Sequence, residues 1–252
     1  MIELKGVSSG YGKKSIIEDI SLCIPEGKLV SVIGLNGSGK STLIKTVVGI
    51  IKPTSGEIII DKVRSDTLSG KARAQKIAYL AQGKSAADMT VKQLVLHGRF
   101  PYLDYPRRYS EKDIETAEKT LSELGLSELS EKPLSSLSGG MRQYAYIAMA
   151  LTQDTDYILM DEPTTFLDIS HRIEIIRNFR SLVEGGKGIV AVMHDLPLAF
   201  TFSDFVAVID KGRLAAFDTP EGIYKSGIVR DIFNIELEYS TSDRYYHYKY
   251  II

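Results

Sequence analysis

The chain has 252 residues, and its 31 Lys and Arg nearly cancel 32 Asp and Glu, leaving a net charge of −1. That balance offers no support for a generic basic nucleic-acid binder or a polybasic membrane-surface protein. With 44% hydrophobic and 25% charged residues it has ordinary globular composition; a chain this long buries about three-quarters of its surface and needs no disulfide or metal staple.

The first 28 residues carry glycines that interrupt the apolar pattern. Ile2–Leu4 and Ile16–Ile24 read as strands separated by Gly6, Gly10 and Gly12, and Glu57–Ile60 follows a PTSG turn. Together they predict a small antiparallel sheet beside a larger one. The one cysteine, Cys23, sits in ISLCIP and reads as a buried strand thiol, so neither an intrachain disulfide nor a thiolate cluster is possible. MIELKGVSSGYG has no long apolar run behind a basic patch, so no secretory signal is expected. No run approaches ~20 apolar residues, so no bilayer span is expected, and a reduced cytoplasmic setting follows by default.

Leu29–Ile33, Ile77–Leu80, Tyr157–Met160, Ile189–Met193 and Val206–Ile209 are short apolar runs alternating with helical patterns. They predict an α/β domain with a mainly parallel sheet, its strands buried on both faces. From about 84 to 152 the pattern is helical and reads as a lobe inserted into that core. SEKD at Ser110 resembles a capping box, and Ile114, Ala117, Leu121 and Leu124 recur at helical spacing until Gly125. The whole chain reads as a single domain. Its tail, about 228–252, ends in EYSTSDRYYHYKYII, whose five tyrosines read as an edge strand or hairpin, or as a docking surface for a partner.

GLNGSGKS, Gly34 to Ser41, satisfies G-x-x-x-x-G-K-[ST] between a predicted strand and a helix running to Gly49. Gly34, Gly37 and Gly39 let the backbone turn its N–H groups inward as a nest for phosphate oxygens, and the positive end of the following helix adds to that field. Lys40 would reach the β- and γ-phosphates and Ser41 would hold Mg²⁺. YILMDEP then delivers Asp161 and Glu162 at a strand end, the first toward Mg²⁺ and the second toward the proton of an attacking water. LSGGM, Leu137 to Met141, opens the helical pattern Arg142–Leu151 with a second backbone anion site, Ser138–Gly140. One triphosphate does not need two such sites in one chain; two chains arranged head to tail would use both.

On these motifs the sequence resembles the ATP-binding cassette (ABC) ATPases over nearly its whole length. The resemblance implies a P-loop NTPase core with an N-terminal antiparallel β subdomain and an inserted helical subdomain. It implies ATP and Mg²⁺ as ligands, with Gly34, Asn36, Gly37, Ser38, Gly39, Lys40, Ser41 and Thr42 on the nucleotide and Ser138, Gly139 and Gly140 on the partner's nucleotide. Tyr11 looks like the aromatic that stacks on adenine, and Gln82 like the glutamine that contacts Mg²⁺ or water and senses the transport partner. Leu167 and Asp168 resemble the D-loop at the dimer contact, and His194 the switch histidine near the γ-phosphate. Read singly, Tyr11 is also a turn aromatic, Gln82 a surface amide, Asp168 a cap of the helix Ile169–Val183, and His194 a core histidine. Three positions depart from the family pattern: Leu35 stands where many members have proline, Met141 where Gln or Glu is usual, and Phe166 where a smaller residue is common.

TVKQLVLHGRFPYL, Thr90 to Leu103, resembles ATPases of importers for iron chelates, haem and cobalamin. That implies a homodimer on the cytoplasmic face of the membrane, polytopic permease subunits, indirectly a substrate-binding protein, and no nucleic acid. Its plain reading is a helix, Val91–His97, then a Gly–Pro turn with Arg99, Arg107 and Arg108 solvated. Molybdate or other metal importers and exporters use similar ATPases. The other classes are a soluble ABC ATPase of iron–sulfur assembly type, which would have only soluble partners, and a nucleotide-binding regulator without turnover, which the presence of both Glu162 and His194 disfavours.

Overall fold

The computed structural model describes residues 1–82, 88–165 and 167–249. Phe166 lies outside the described residues, and with it the expectation about its place at the dimer contact. The chain opens with the hairpin β1 (Ile2–Tyr11) and β2 (Lys14–Ile24), enters the centre as β3 (Leu29–Ile33) and turns into α1 (Lys40–Val47). It returns to the first sheet as β4 (Ser55–Ile60) and β5 (Val63–Arg64), and a short α2 (Gly70–Ala74) leads to β6 (Ile77–Leu80). The helices α3 (Val91–Leu96), α4 (Glu111–Glu123) and α5 (Gly139–Thr152) precede β7 (Tyr157–Asp161). Then come α6 (Ile169–Glu184), β8 (Gly188–Val192), α7 (Leu196–Phe202) and the hairpin β9 (Phe205–Asp210) and β10 (Arg213–Asp218). Finally α8 (Pro220–Ser226) and α9 (Ile228–Phe233) lead to a last hairpin, β11 (Glu236–Ser240) and β12 (Tyr245–Lys249).

The main sheet runs β10-β9-β3-β8-β7-β6, parallel from β9 to β6, with β10 antiparallel at one edge. Successive side chains of a strand point to opposite faces, so these strands feed two cores. Val30, Val32, Leu159 and Val190 pack with Leu43, Ile44 and Val47 of α1 and with the N-terminal sheet. Leu29, Ile33, Met160 and Ala191 pack with the helical side of the molecule. Each loop after these strands therefore leaves a strand held from both sides.

The N-terminal sheet is antiparallel in the order β2-β1-β4-β5. Its first strand is longer than the glycine pattern predicts. Gly6 and Gly10 do not stop β1 but sit among register shifts against β2, where a side chain on Gly10 would lie 2.0 Å from the Lys14 carbonyl. Cys23 corrects a second expectation: it is exposed, not buried. β2 has one face on the core, so Ile20, Leu22 and Ile24 turn inward while Ser21 and Cys23 alternate outward.

In the helical lobe, Thr90 with Gln93 and Ser110 with Asp113 form capping boxes, and Ser138 caps α5 by accepting the Met141 N–H. Arg99 is buried, not solvated. Its Nε donates to Asp113 Oδ1 at 2.9 Å and its guanidinium to the Thr152 carbonyl at 3.2 Å. Gly98 makes this possible: a side chain there would meet the Met149 carbonyl at 2.2 Å, so glycine lets the chain close on α5. Arg99 then meets the unpaired carbonyls at the C-terminus of α5, where a cation is favourable. Arg107 lies over the Phe100 ring, 4.5 Å from its centre. No helix among the described residues is long and apolar enough to cross a membrane.

Candidate nucleotide site

The carboxyl ends of β3, β8, β7 and β6 lie side by side, so the segments after them converge on one open cleft of about 800 Å³. The structure brings Tyr11, Asn36, Gly37, Gly39, Lys40, Ser41, Thr42, Gln82, Glu162 and His194 around it. Gly34 and Ser38 belong to the same loop but do not line the cleft. A side chain on Gly34 would strike the Ile209 carbonyl at 2.3 Å, and the Ser38 hydroxyl is buried without a hydrogen-bond partner among the described residues. Tyr11, at the end of β1, is 53% exposed and lines the cleft.

Lys40 opens α1, and its Nζ donates to the carbonyls of Gly34 and Leu35, both at 2.9 Å. Burial pushes this ammonium below its ordinary value, while Glu162 and Asp161 pull it back up. Ser41 Oγ donates to Asp161 Oδ1 at 2.9 Å. Asp161 ends β7 almost fully buried, and that burial raises its carboxyl above the ordinary range against the Ser41 hydrogen bond. A hydroxyl and a carboxylate meeting beside the phosphate loop are the hard oxygen donors that suit Mg²⁺.

Glu162 takes a left-handed backbone, φ 54°, which costs a residue with a side chain about 1–2 kcal/mol. The turn aims its carboxylate back across the cleft. Oε1 pairs with His194 Nε2 at 2.5 Å, while Oε2 accepts from Gln82 Nε2 at 2.6 Å and from Thr165 Oγ1 at 3.2 Å. Segments after β6, β7 and β8 thus meet at one carboxylate.

Ser138, Gly139 and Gly140 do not line this cleft, nor does Asp168. Asp168 caps α6, accepting the His171 N–H at 2.9 Å. The helix that LSGGM opens still reaches the site indirectly, because Gln143 of α5 donates to the Pro163 carbonyl at 3.0 Å. Sequence reasoning missed Lys14 and Ile16 in the cleft wall and Thr165 on Glu162. Thr165 was accessible in principle, since it falls three residues after Glu162 in the turn that leaves β7.

Comparison with known proteins agrees with this geometry. Residues 17–165 match the family described as ABC transporter. The chain is 41% identical over 242 residues to the petrobactin import ATP-binding protein FpuD of Bacillus anthracis, covering 95% of this chain and 89% of that protein. It is 35% identical over 228 residues to the ferric enterobactin transport ATP-binding protein FepC of Escherichia coli, covering 90% and 84%. Its fold superposes with a TM-score of 0.78, at 29% identity, on the ATP-binding cassette MJ0796 in a dimeric post-hydrolysis state bound to ADP and phosphate, covering 87% of this chain and 99% of that one. The chain belongs to the ABC transporter family, as one of its ATP-hydrolysing cassettes.

Proposed function

We propose that this cassette drives import of an iron chelate, the class of compound named for its petrobactin and enterobactin relatives. In this reading it is one domain that works as a homodimer bound peripherally at the cytoplasmic face of the membrane. The helical lobe and Gln82 pass closure and reopening to polytopic permease subunits, which receive the chelate from a substrate-binding protein. The observation that carries the hydrolytic part is the meeting of Gln82, Glu162 and His194 across the cleft from Lys40 and Ser41, while Ser138–Gly140 stand away from that cleft. A second copy would supply the missing wall.

The residues divide the work. The loop amides from Gly34 to Ser41, with Asn36, Ser38 and Thr42, cradle the phosphates, and Tyr11 stacks on the adenine. Lys40, already poised between the two loop carbonyls, exchanges them for phosphate oxygens and neutralises charge as it develops. Ser41, Asp161 and the Gln82 amide oxygen would hold Mg²⁺, which would supply further charge neutralisation. Glu162 accepts the proton of the attacking water, and His194 holds that carboxylate and the γ-phosphate in line. Ser138, Gly139 and Gly140 of one copy close over the nucleotide of the other, and Asp168 contacts the partner at that seam.

Glu162→Gln tests this assignment. It keeps the shape and removes the base, so phosphate release should fall about 10²–10⁴-fold while an ATP-bound dimer accumulates on gel filtration. A variant that hydrolyses ATP at the parental rate refutes the role given to Glu162. Capture of the tagged chain from native membranes with MgATP tests the transport reading, which requires a polytopic protein to co-purify; only soluble partners would return the assembly-type ATPase.

A further inference from the structure

The C-terminal hairpin lies against the segment that carries His194. Asp195 caps α7, its Oδ1 accepting the Leu198 N–H at 3.1 Å. In the first turn Pro197 has no N–H, which leaves the Leu196 N–H as the backbone donor that helix geometry does not satisfy. That donor goes to the Tyr248 hydroxyl of β12, at 3.3 Å. Leu196 is two residues beyond His194, so the bond fixes the backbone immediately after the histidine.

The rest of the hairpin is fastened along the same helix. The Tyr246 N–H donates to Thr201 Oγ1 at 3.1 Å, and its ring packs edge-on against Phe200 with centres 5.4 Å apart. Tyr245 meets Phe202 in the same manner at 6.1 Å. Tyr248 also shares a cavity of about 370 Å³ with Leu35 and Asn36 of the phosphate loop, His194 and Phe233. The tail thus borders a cavity shared with the Gly34–Ser41 loop and with His194.

We propose that Tyr248 is a positioning residue for ATP hydrolysis: through the Leu196 N–H, the C-terminal hairpin holds His194 in register with Glu162. The proposal rests on the assignment of His194 to the hydrolytic step. Tyr248→Phe removes the hydroxyl and keeps the ring. The full chain should then release phosphate about three- to tenfold more slowly, because a small displacement of an aligned group costs rate directly. KM for ATP should stay within about twofold of the parent, since binding groups on the phosphate loop are untouched. Amide hydrogen exchange over residues 194–199 should quicken without a matching change in the main sheet.

A parental kcat in Tyr248→Phe overturns the proposal whatever the exchange does. So does a fall in kcat accompanied by a raised KM and a lower Tm, which marks a tail that only supports the fold. His194→Ala separates the two claims. If that variant keeps the parental rate, the assignment of His194 fails and the tether fails with it. If it loses hydrolysis while Tyr248→Phe is normal, the tether alone is wrong.

Discussion

Arg99→Ala should destabilise the helical lobe by removing one half of a buried ion pair. Both side chains are 10% exposed, and Arg99 Nε lies 2.9 Å from Asp113 Oδ1. Burial pushes the Asp113 carboxyl up, but hydrogen bonds from Ser110 and Arg99 outweigh it and hold the group below the ordinary range. Breaking a buried pair by deleting one partner costs about 3–5 kcal/mol. Asp113 keeps the Ser110 N–H at 3.0 Å and hydroxyl at 2.7 Å, which argues for the lower end, about 3 kcal/mol. For a chain of this size that is a Tm lower by about 6–12 °C.

The pH dependence has a definite sign. The native carboxyl titrates below its unfolded value, so the pair's stabilisation is present above the unfolded value, near ~3.9, and is lost as pH falls through the native one. Without Arg99, burial is less opposed and Asp113 can take up a proton, so the penalty should be largest at neutral pH and shrink toward pH ~4. Thermal unfolding of parent and variant at both pH values reads this out. A Tm difference under about 2 °C at neutral pH, or an equal penalty at both, would refute the reasoning.

Asp161→Asn should raise Tm at neutral pH and yet abolish efficient hydrolysis. Burial lifts this carboxyl above its ordinary range, so its charge opposes folding at neutral pH and the opposition fades as pH falls through the native value; a variant less stable than the parent at pH 7.5 contradicts this. Gly98→Ala must push the segment off the Met149 carbonyl, at a cost of about 1–3 kcal/mol in thermal or urea unfolding. With the losses of hydrolysis from Glu162→Gln and Tyr248→Phe, these variants separate chemistry, positioning and packing.

The parts of the fold written as repeated local pattern were legible in the sequence. The buried strands from Leu29 to Ile209 announce themselves by apolar runs, and the phosphate loop by glycines at fixed offsets. Misreadings arose where a neighbour in space decides. Cys23 looks buried among apolar residues, but on a one-sided sheet only the period of two matters. Arg99 looks like a surface cation, and its burial depends on Asp113 and α5, 14 and about 50 residues further on. In the site, residue types and order pointed to Lys40, Ser41, Asp161 and Glu162. The joining of Gln82 and His194 through one carboxylate, and the left-handed turn that aims it, come from the strand order and the packing.

That strand order also divides what can change from what cannot. Lys40, His194, Glu162 and Gln82 follow the ends of consecutive strands, about 4.8 Å apart, so backbone pairing sets the coarse spacing on which side-chain contacts then act. The helical lobe leaves from β6 and re-enters at β7, strands paired directly as Leu80 with Met160. Its two ends are therefore pinned one strand apart, whatever lies between them. Such a block can be lengthened, resurfaced or exchanged while the row of reactive groups keeps its pitch. The chemistry and the lobe are in this way separable in the fold, because a change confined to the lobe leaves the strand ends that carry the reactive groups where they are.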